Sequence, residues 1–274
     1  MKITVLTDNN GHEELDGEWG LSFLIEYGDR KILLDAGATD LFLKNADKLG
    51  IDLSDIDFAV LSHAHYDHGN GFVPLFEQNK QVRLYLQKCC GASCYAEKEQ
   101  QGIPQTEYIG LPEELFDTYS SRLVRVEGDY RLADDIYLIP HKKAGRDAIG
   151  RREKMFVKTA GGMIPDDFSH EQSLVFDTEK GLVIFNSCSH AGASAIIDEV
   201  CETFPGKPVI ALLGGFHLYN KTEEEVRLFA KRLKDTHTGR VFTGHCTGED
   251  AFRILKEELG DSISQFYAGL EIVM

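Results

Sequence analysis

The stretch Leu61-Ser-His-Ala-His-Tyr-Asp-His-Gly-Asn-Gly71 is the most informative part of this sequence, because it places three histidines and an aspartate within six positions. His63 and His65 are two residues apart, so at the end of an extended strand their imidazoles point to the same side and can bind one ion. Asp67 and His68 turn back toward the same pocket if a helix begins after His65. Such ligands suit zinc, iron or manganese, and a set that leaves positions open to water is typical of a catalytic site.

A histidine-rich surface loop is the alternative interpretation of this stretch. The preceding segment Ile56-Asp-Phe-Ala-Val-Leu61 is mainly apolar and predicts a buried strand. The histidines then follow a rigid element, which favours a metal site.

The pattern His63-x-His65-x-Asp67-His68 after a buried strand resembles the signature of the metallo-β-lactamase superfamily. The resemblance implies an α/β fold with mixed sheets. In that fold the sheets and helices form a four-layer αββα sandwich, with one or two metal ions at the sheet edges.

Composition argues against several functional classes. Lysine and arginine number 29 against 45 acidic residues, and the net charge of −16 repels nucleic acid and anionic membrane surfaces. No segment reaches the roughly 20 apolar residues of a spanning helix, and Met1 to Leu6 lack a cleavable signal pattern. We therefore expect a soluble, cytoplasmic protein that acts on a small molecule. A chain of 274 residues suits one two-sheet sandwich, so we expect a single domain over residues 1–274.

Six cysteines without regular spacing argue against a disulfide framework. Cys89, Cys90 and Cys94 form one cluster, but a structural zinc or iron–sulfur site needs about four ligands. We expect ordinary thiols there. Cys188 and Cys246 differ, because each lies within two residues of a histidine that follows a predicted strand.

Hydrophobic patterning predicts strands and helices along the chain. A hairpin is expected over Trp19 to Asp35, and a helix over Thr39 to Leu49. Asp35 either caps this helix or supports the metal site, and the resemblance implies the second role. The other predicted strands are Met1 to Thr7, Ile56 to Leu61, Gln81 to Leu86, Arg122 to Val126, Asp135 to Ile139, Gln172 to Phe176, Gly181 to Phe185 and Phe266 to Val273. The other predicted helices include Asn70 to Gln78, Thr222 to Lys234 and Ala251 to Leu259.

Two segments depart from this regular pattern. Residues 87–118 mix glycine, proline, cysteine and acidic residues, which favours an insertion over the site that encloses substrate. Residues 141–155 carry six cations in an otherwise acidic protein. This basic loop either binds a substrate phosphate or carboxylate, with Arg151 and Arg152 as candidates, or is simply solvated. His141 is assigned no role beyond the loop.

Three later strands are each predicted to end near a glycine-flanked histidine. These segments are Asn186 to Gly192 with His190, Gly214 to His217, and Thr243 to Gly248 with His245. The superfamily collects its ligands from successive strand ends on one rim, so the recurrence supports a shared site. Together with Gly20-Leu-Ser and Asp35-x-Gly37, the segments resemble one branch of the superfamily, the dihydropterin-ribofuranosyl-aminobenzene-phosphate synthase-like metal-dependent hydrolases.

The resemblance also implies a ligand set. In the superfamily the first metal ion binds both histidines of His-x-His and one later histidine, and the second binds the Asp-His pair and a histidine near the end. The implied ligands are His63, His65 and His190 for the first ion, and Asp67, His68 and His245 for the second. One or two divalent ions are expected, with zinc first and iron or manganese as alternatives.

One strand end departs from the superfamily pattern. A bridging aspartate is usual there, whereas this chain has Ser187-Cys-Ser-His190. Cys188 or His190 then replaces the bridging ligand, and His170 becomes the alternative histidine of the first site. The departure puts the second ion in question.

The residues support attack by metal-activated water. Asp67 orients or deprotonates the water, and His217 or His190 donates a proton to the leaving group. The resemblance implies a phosphorylated or pterin-like substrate that is either hydrolysed or condensed, as in the named synthase. Two other classes remain open, namely a di-iron redox or electron-transfer protein, because cysteines flank the implied ligands, and a non-catalytic metal or ligand sensor.

Overall fold

The computed structural model describes residues 1–100 and 102–274. Its strands are β1 (Lys2–Thr7), β2 (Ser22–Tyr27), β3 (Arg30–Leu34), β4 (Phe58–Val60), β5 (Leu84–Gln87), β6 (Cys94–Gln100), β7 (Ile103–Tyr108), β8 (Leu123–Val126), β9 (Tyr130–Ala133), β10 (Ile136–Pro140), β11 (Met155–Thr159), β12 (Gly162–Pro165), β13 (Gln172–Thr178), β14 (Gly181–Ser187), β15 (Val209–Gly214), β16 (Arg240–Thr243), β17 (Ile263–Gln265) and β18 (Glu271–Val273). Its α-helices are α1 (Leu41–Lys48), α2 (Tyr66–Gly69), α3 (Phe72–Gln78), α4 (Glu113–Asp117), α5 (Asp147–Glu153), α6 (Ala193–Thr203), α7 (Glu223–Asp235) and α8 (Glu249–Leu259). Short 3-10 helices cover Ser120–Arg122, His245–Thr247 and Gly260–Ser262.

Two seven-stranded mixed sheets form the centre of the molecule. The spatial order is β18-β1-β2-β3-β4-β5-β8 in the first sheet and β17-β16-β15-β14-β13-β10-β9 in the second. Strands β3, β4, β5 and β8 run parallel, as do β14, β15, β16 and β17. The carboxyl ends of parallel strands share one edge of a sheet, so each sheet gathers several strand ends along a single rim.

Three apolar cores separate four layers. Phe23 of β2 packs against Phe185 of β14 and Phe266 between the two sheets, with ring centroids 5.7 and 5.1 Å away. Helices α1 and α3 cover the outer face of the first sheet, and α6, α7 and α8 cover the second. The predicted four-layer αββα sandwich is therefore confirmed.

The structure corrects the sequence predictions in three places. Segment 87–118 contains β6 and β7, which join β11 and β12 in a third, four-stranded sheet. These strands were missed because β7 is mostly exposed and polar and shows no apolar alternation. The basic loop contains helix α5. Of the predicted strand over Phe266 to Val273, only Glu271–Val273 forms a strand, β18, because Gly269, at φ +88°, lies in a turn between β17 of one sheet and β18 of the other.

No helix among residues 1–100 and 102–274 is long and apolar enough to cross a membrane.

Replacing Phe185 by alanine tests the inter-sheet core. The ring is fully buried between two other aromatic rings, so its loss should lower the free energy of unfolding by about 3–5 kcal/mol in urea titrations. Leu228→Ala, at a side chain that is 48% exposed, should change it by less than about 0.5 kcal/mol. Equal effects of the two substitutions would contradict this packing.

Candidate metal centre

The histidines identified in the sequence converge on one rim of the sandwich. His63 and His65 follow β4, whereas His190, His217 and His245 follow β14, β15 and β16. A cleft of about 620 Å³ opens above them. Its lining includes Trp19, His65, Tyr66, Asp67, Ala96, Glu97, Lys98, Glu99, Ile109, Arg152, Glu153, Lys154, Met155, Cys188, His190, His217, Tyr219, Asn220, Lys221 and Cys246. Substrate-sized molecules can therefore reach the histidines.

His63, His65 and His190 form a first group of possible metal ligands. One ring nitrogen from each lies within 4.8 Å of the others, and all three side chains are buried. The Nε2 atoms of His63 and His65 and both ring nitrogens of His190 lack a hydrogen-bond partner among the described residues. Buried polar atoms are rarely left unpaired, so three neighbouring imidazoles with unpaired ring nitrogens fit a metal ion.

Electrostatics keep this group uncharged and ready to bind. Burial, followed by the neighbouring ring of His68, lowers the pKa of His63 well below its usual value of 6.5. Burial and His170 lower the pKa of His65 to about 3. The pKa of His190 is lowered well below 6.5 by burial and by His217. Neutral imidazoles carry the lone pair that a metal ion needs.

Asp67, His68 and His245 form a second group. Asp67 Oδ2 lies 3.4 Å from His245 Nε2 and 3.9 Å from His68 Nε2. Burial raises the pKa of Asp67, but electrostatic attraction to the neighbouring His68 ring and the hydrogen bond from His245 outweigh it and hold that pKa below its usual value. Burial lowers the pKa of His245, but Cys246 and Asp67 outweigh it and raise that pKa to about 9. The group thus attracts positive charge.

Acceptors behind the rings of His68 and His245 fix their orientation. His68 Nδ1 lies 2.7 Å from Asp35 Oδ2, and His245 Nδ1 lies 2.9 Å from Asn9 Oδ1. Asn9 is itself oriented, because its Nδ2 donates to the His245 carbonyl at 3.3 Å. In the neutral rings both Nδ1 atoms are donors, so two Nε2 lone pairs face each other 3.2 Å apart. That arrangement needs a cation close to both nitrogens, which can be either a proton or a metal ion.

Asp35 connects the two groups of possible ligands through hydrogen bonds. Its buried carboxylate accepts hydrogen bonds from the Ser62 N–H at 2.7 Å, from Ser62 Oγ at 2.6 Å and from Ser187 Oγ at 2.6 Å, in addition to His68. Ser62 Oγ also lies 2.8 Å from His63 Nδ1. Because the Ser62 hydroxyl proton goes to Asp35, the oxygen accepts from His63 and leaves His63 Nε2 bare. Asp35 therefore has a supporting position beneath the histidines, whereas α1 begins only at Leu41.

Cys188 lies between the two groups, at the strand end where the superfamily aspartate is missing. Its Sγ is 3.1 Å from His68 Nε2. It groups with His63 and His68 on one side and with His245 and Cys246 on the other. A buried thiol in this position can serve either group as a ligand.

His170 lies outside the first group. Its Nδ1 accepts a hydrogen bond from the Ala64 N–H at 3.2 Å, and its Nε2 lies 3.0 Å from Asp166 Oδ2. Together with Cys94 and His65 it forms a separate buried set. A ring that accepts on Nδ1 carries its proton on Nε2, so His170 supports the wall beside His65 through Asp166.

His217 lies on the cleft side of the first group. Its ring centroid is 4.6 Å from that of His190, and its Nδ1 has no hydrogen-bond partner among the described residues. The residue has φ +50°, a conformation that costs free energy in a non-glycine residue. Its backbone N–H donates to Cys246 Sγ at 3.2 Å, and the next N–H, of Leu218, donates to the Cys246 carbonyl at 2.9 Å. The loop that carries His245 thus holds His217 in place.

The basic loop borders the cleft through Arg152, Glu153 and Lys154. Its cations pair with acidic side chains, and Arg151 pairs with Asp147. Among the described residues that line the cleft, Arg152 is present and Arg151 is not. Arg152 also pairs with Glu153, at 2.9 Å.

His141 has a role that sequence reasoning missed. It is buried between Glu171 at 2.6 Å and Glu199 at 2.8 Å. Glu171 accepts from the backbone N–H groups of His190 at 2.9 Å and Ala191 at 3.2 Å. A chain of buried charges therefore anchors the loop that presents His190. Its members are 30 and 58 residues from His141, so no local motif could reveal it.

The fold and this site are typical of the metallo-β-lactamase superfamily. The sequence profile of the metallo-β-lactamase superfamily matches residues 17–88. Tm1679, described as a metal-dependent hydrolase of the β-lactamase superfamily, has a crystal structure that is 30% identical to this chain, with a TM-score of 0.82. The match covers 100% of this chain and 99% of Tm1679. This chain therefore belongs to the metallo-β-lactamase superfamily.

Two further relatives are informative. A Methanocaldococcus jannaschii protein named 7,8-dihydropterin-6-methyl-4-(β-D-ribofuranosyl)-aminobenzene-5'-phosphate synthase is 28% identical over 260 residues, which span 91% of this chain and 88% of the relative. The crystal structure of Zn²⁺-bound PqqB from Methylobacterium extorquens covers 100% of both chains with a TM-score of 0.60 at 11% identity. The second match shows the shared fold alone.

Asp35→Asn tests the supporting carboxylate. The asparagine side chain has one oxygen and one NH₂ group. Its NH₂ group would face a donor from which the Asp35 carboxylate now accepts a hydrogen bond, so His68 would lose its fixed orientation. Metal affinity measured by calorimetric titration should fall about 10–100-fold while the circular dichroism spectrum is retained. Asp40→Asn, at an exposed partner of Lys44, is the matched control and should bind metal like the parent. Unchanged affinity in Asp35→Asn would refute the role.

Glu199→Gln tests the buried charge chain by its pH dependence. Burial raises the pKa of Glu199, but the hydrogen bonds from His141 and from the Lys143 backbone outweigh it and lower that pKa to about 2. Since the folded pKa lies below the unfolded one, the carboxylate stabilises the protein above pH of about 4.5 and loses this effect as the pH falls toward about 2. The variant should be less stable by up to about 3 kcal/mol at pH 6, and the difference should shrink in acid.

The matched control is Glu202→Gln on the same helix, whose exposed carboxylate pairs with Lys143. Urea titrations should show little change for it at either pH. A constant stability difference between Glu199→Gln and the parent from pH 6 to pH 2.5 would contradict the assignment.

Proposed function

We propose that this protein is a metal-dependent hydrolase that cleaves a phosphorylated small molecule at a dinuclear centre. The observation that carries the proposal is a pair of adjacent ligand groups at the base of an open cleft. Three imidazoles with unpaired ring nitrogens lie beside the set of Asp67, His68 and His245. Family membership supports an enzyme, since the named relatives are a hydrolase and a synthase.

The first ion would be held by His63, His65 and His190, and the second by Asp67, His68 and His245, with Cys188 between them. When bound, such ions supply a hydroxide nucleophile at neutral pH and polarise a phosphoryl oxygen. Zinc suits the donor set best, and iron and manganese suit it too.

The remaining chemistry falls to residues at the cleft. The low pKa of Asp67 keeps its carboxylate ionised, so it accepts a hydrogen bond from the attacking water and orients it. His217 lines the cleft with an unpaired ring nitrogen and is not a member of either ligand group. It is the imidazole that remains free to donate a proton to the leaving group.

His217→Gln tests this assignment. The variant should keep the metal content of the parent by elemental analysis, and kcat should fall about 10²–10⁴-fold for substrates with poor, alkyl leaving groups. With a nitrophenyl ester, whose leaving group needs no proton, the loss should be much smaller. His237→Gln, at an exposed histidine, is the control. Equal losses for both esters would contradict the role as a proton donor.

The proposal itself is tested by metal removal. Protein stripped with a chelator should lose its activity, and zinc, manganese or iron should restore hydrolysis of a phosphomonoester or phosphodiester. Activity restored only toward lactones or thioesters would contradict the phosphorylated substrate. A fully active stripped preparation would refute the proposal. A visible absorbance band with no hydrolysis would instead support the di-iron redox class.

A second candidate is transfer of a dihydropterin group, the activity in the name of the Methanocaldococcus jannaschii relative. The alignment supports it because it spans 88% of that protein. Condensation products without ester hydrolysis would favour this candidate over the hydrolase.

A further inference from the structure

Two aromatic side chains are exposed at the mouth of the cleft. Trp19 is 42% exposed and Tyr219 is 50% exposed, and both line the cleft. Their ring centroids lie 5.3 Å apart with an interplanar angle of 80°. The two rings therefore form a right-angled corner, in which a third planar ring can stack on one and meet the other edge to face.

The corner adjoins the metal centre. The ring of Trp19 lies 5.2 Å from that of His245, and the ring of Tyr219 lies 5.3 Å from that of His217. A group held in the corner is thus next to the second ligand group and to the proposed proton donor.

Backbone contacts anchor the chain beside both aromatic residues. The Gly20 N–H donates to Asn9 Oδ1 at 3.4 Å, and a Cβ at Gly20 would lie 2.9 Å from the Asp67 carbonyl, so the chain beside Trp19 fits closely against the metal loop. The Tyr219 N–H donates to the Cys246 carbonyl at 3.2 Å. A preformed pocket loses little conformational entropy on binding.

The charged side chains that line the cleft are less selective for a ligand than the two aromatic rings. Lys154 pairs with Glu97 at 2.9 Å, and Lys221 pairs with Glu153 at 2.5 Å. Because these cations are already neutralised by neighbours, the aromatic corner is the more selective feature of the entrance.

We propose that Trp19 and Tyr219 form a subsite for a planar aromatic ring, so that the substrates are aromatic compounds whose reacting group is attached close to the ring. The identity of the reacting group as a phosphate rests on the proposed function. The ring subsite rests on the corner alone.

The test uses matched ligands that are not hydrolysed. Phenylphosphonate and cyclohexylphosphonate differ in the planarity and π-system of the ring, as do benzoate and cyclohexanecarboxylate. Calorimetry on the metal-loaded protein should show the aromatic member of each pair binding about three- to tenfold more tightly. Trp19 is the single tryptophan of the chain, so aromatic ligands should also change its fluorescence.

Substitutions show which residues cause the preference for aromatic ligands. Trp19→Leu and Tyr219→Leu should reduce the preference for aromatic ligands, whereas Trp19→Phe and Tyr219→Phe should retain most of it. Tyr137→Leu, at a tyrosine that packs on Phe204 away from the cleft, is the matched control.

Equal affinities within each pair, no binding by either pair, or a preference that survives in both leucine variants would overturn the subsite. If only the carboxylates bind and they show the aromatic preference, the subsite stands and the phosphate assignment of the proposed function fails.

Discussion

A single buried carboxylate, that of Asp35, organises the site. It follows the last residue of β3 and accepts hydrogen bonds from Ser62 after β4 and from Ser187 at the end of β14. It therefore ties the rims of both sheets together. The same oxygens orient His68 directly and His63 through Ser62. Removing a carboxylate from water is costly unless it is fully hydrogen-bonded, and here the compensation comes from the groups that present the metal ligands.

This arrangement explains why Nε2 of His63 has no hydrogen-bond partner among the described residues, whereas Nε2 of His68 faces that of His245. A ring that is anchored through Nδ1 keeps Nε2 available for a metal ion, and burial keeps the first group neutral. The second group holds Asp67 ionised and raises the pKa of His245 to about 9, so it favours a cation. The two ligand groups are adjacent but differ in charge. This difference suits two metal ions with different chemical roles.

Much of this could be predicted from sequence. The spacing of His63, His65, Asp67 and His68 is a local property, and strand patterning located the other histidines at carboxyl ends that share a rim. The four layers followed from the resemblance to the superfamily. The structure brings His190 into the group with His63 and His65 and leaves His170 outside it.

Other features could not be predicted because they depend on contacts between distant segments. The link from Glu171 through His141 to Glu199 of α6 joins segments that are distant in sequence, and His141 carries no motif. The third sheet escaped detection because its strand β7 is mostly polar and exposed. Trp19 and Tyr219 lie 200 residues apart and meet only where β2 and β15 approach the same rim.

The most direct test of the account is anomalous X-ray scattering from crystals of protein loaded with zinc. The account predicts two peaks, one within about 2.0–2.1 Å of nitrogens of His63, His65 and His190, and one at a similar distance from Asp67, His68 and His245. No peak at the three histidines, or a peak bound instead by Cys94, Asp166 and His170, would contradict it.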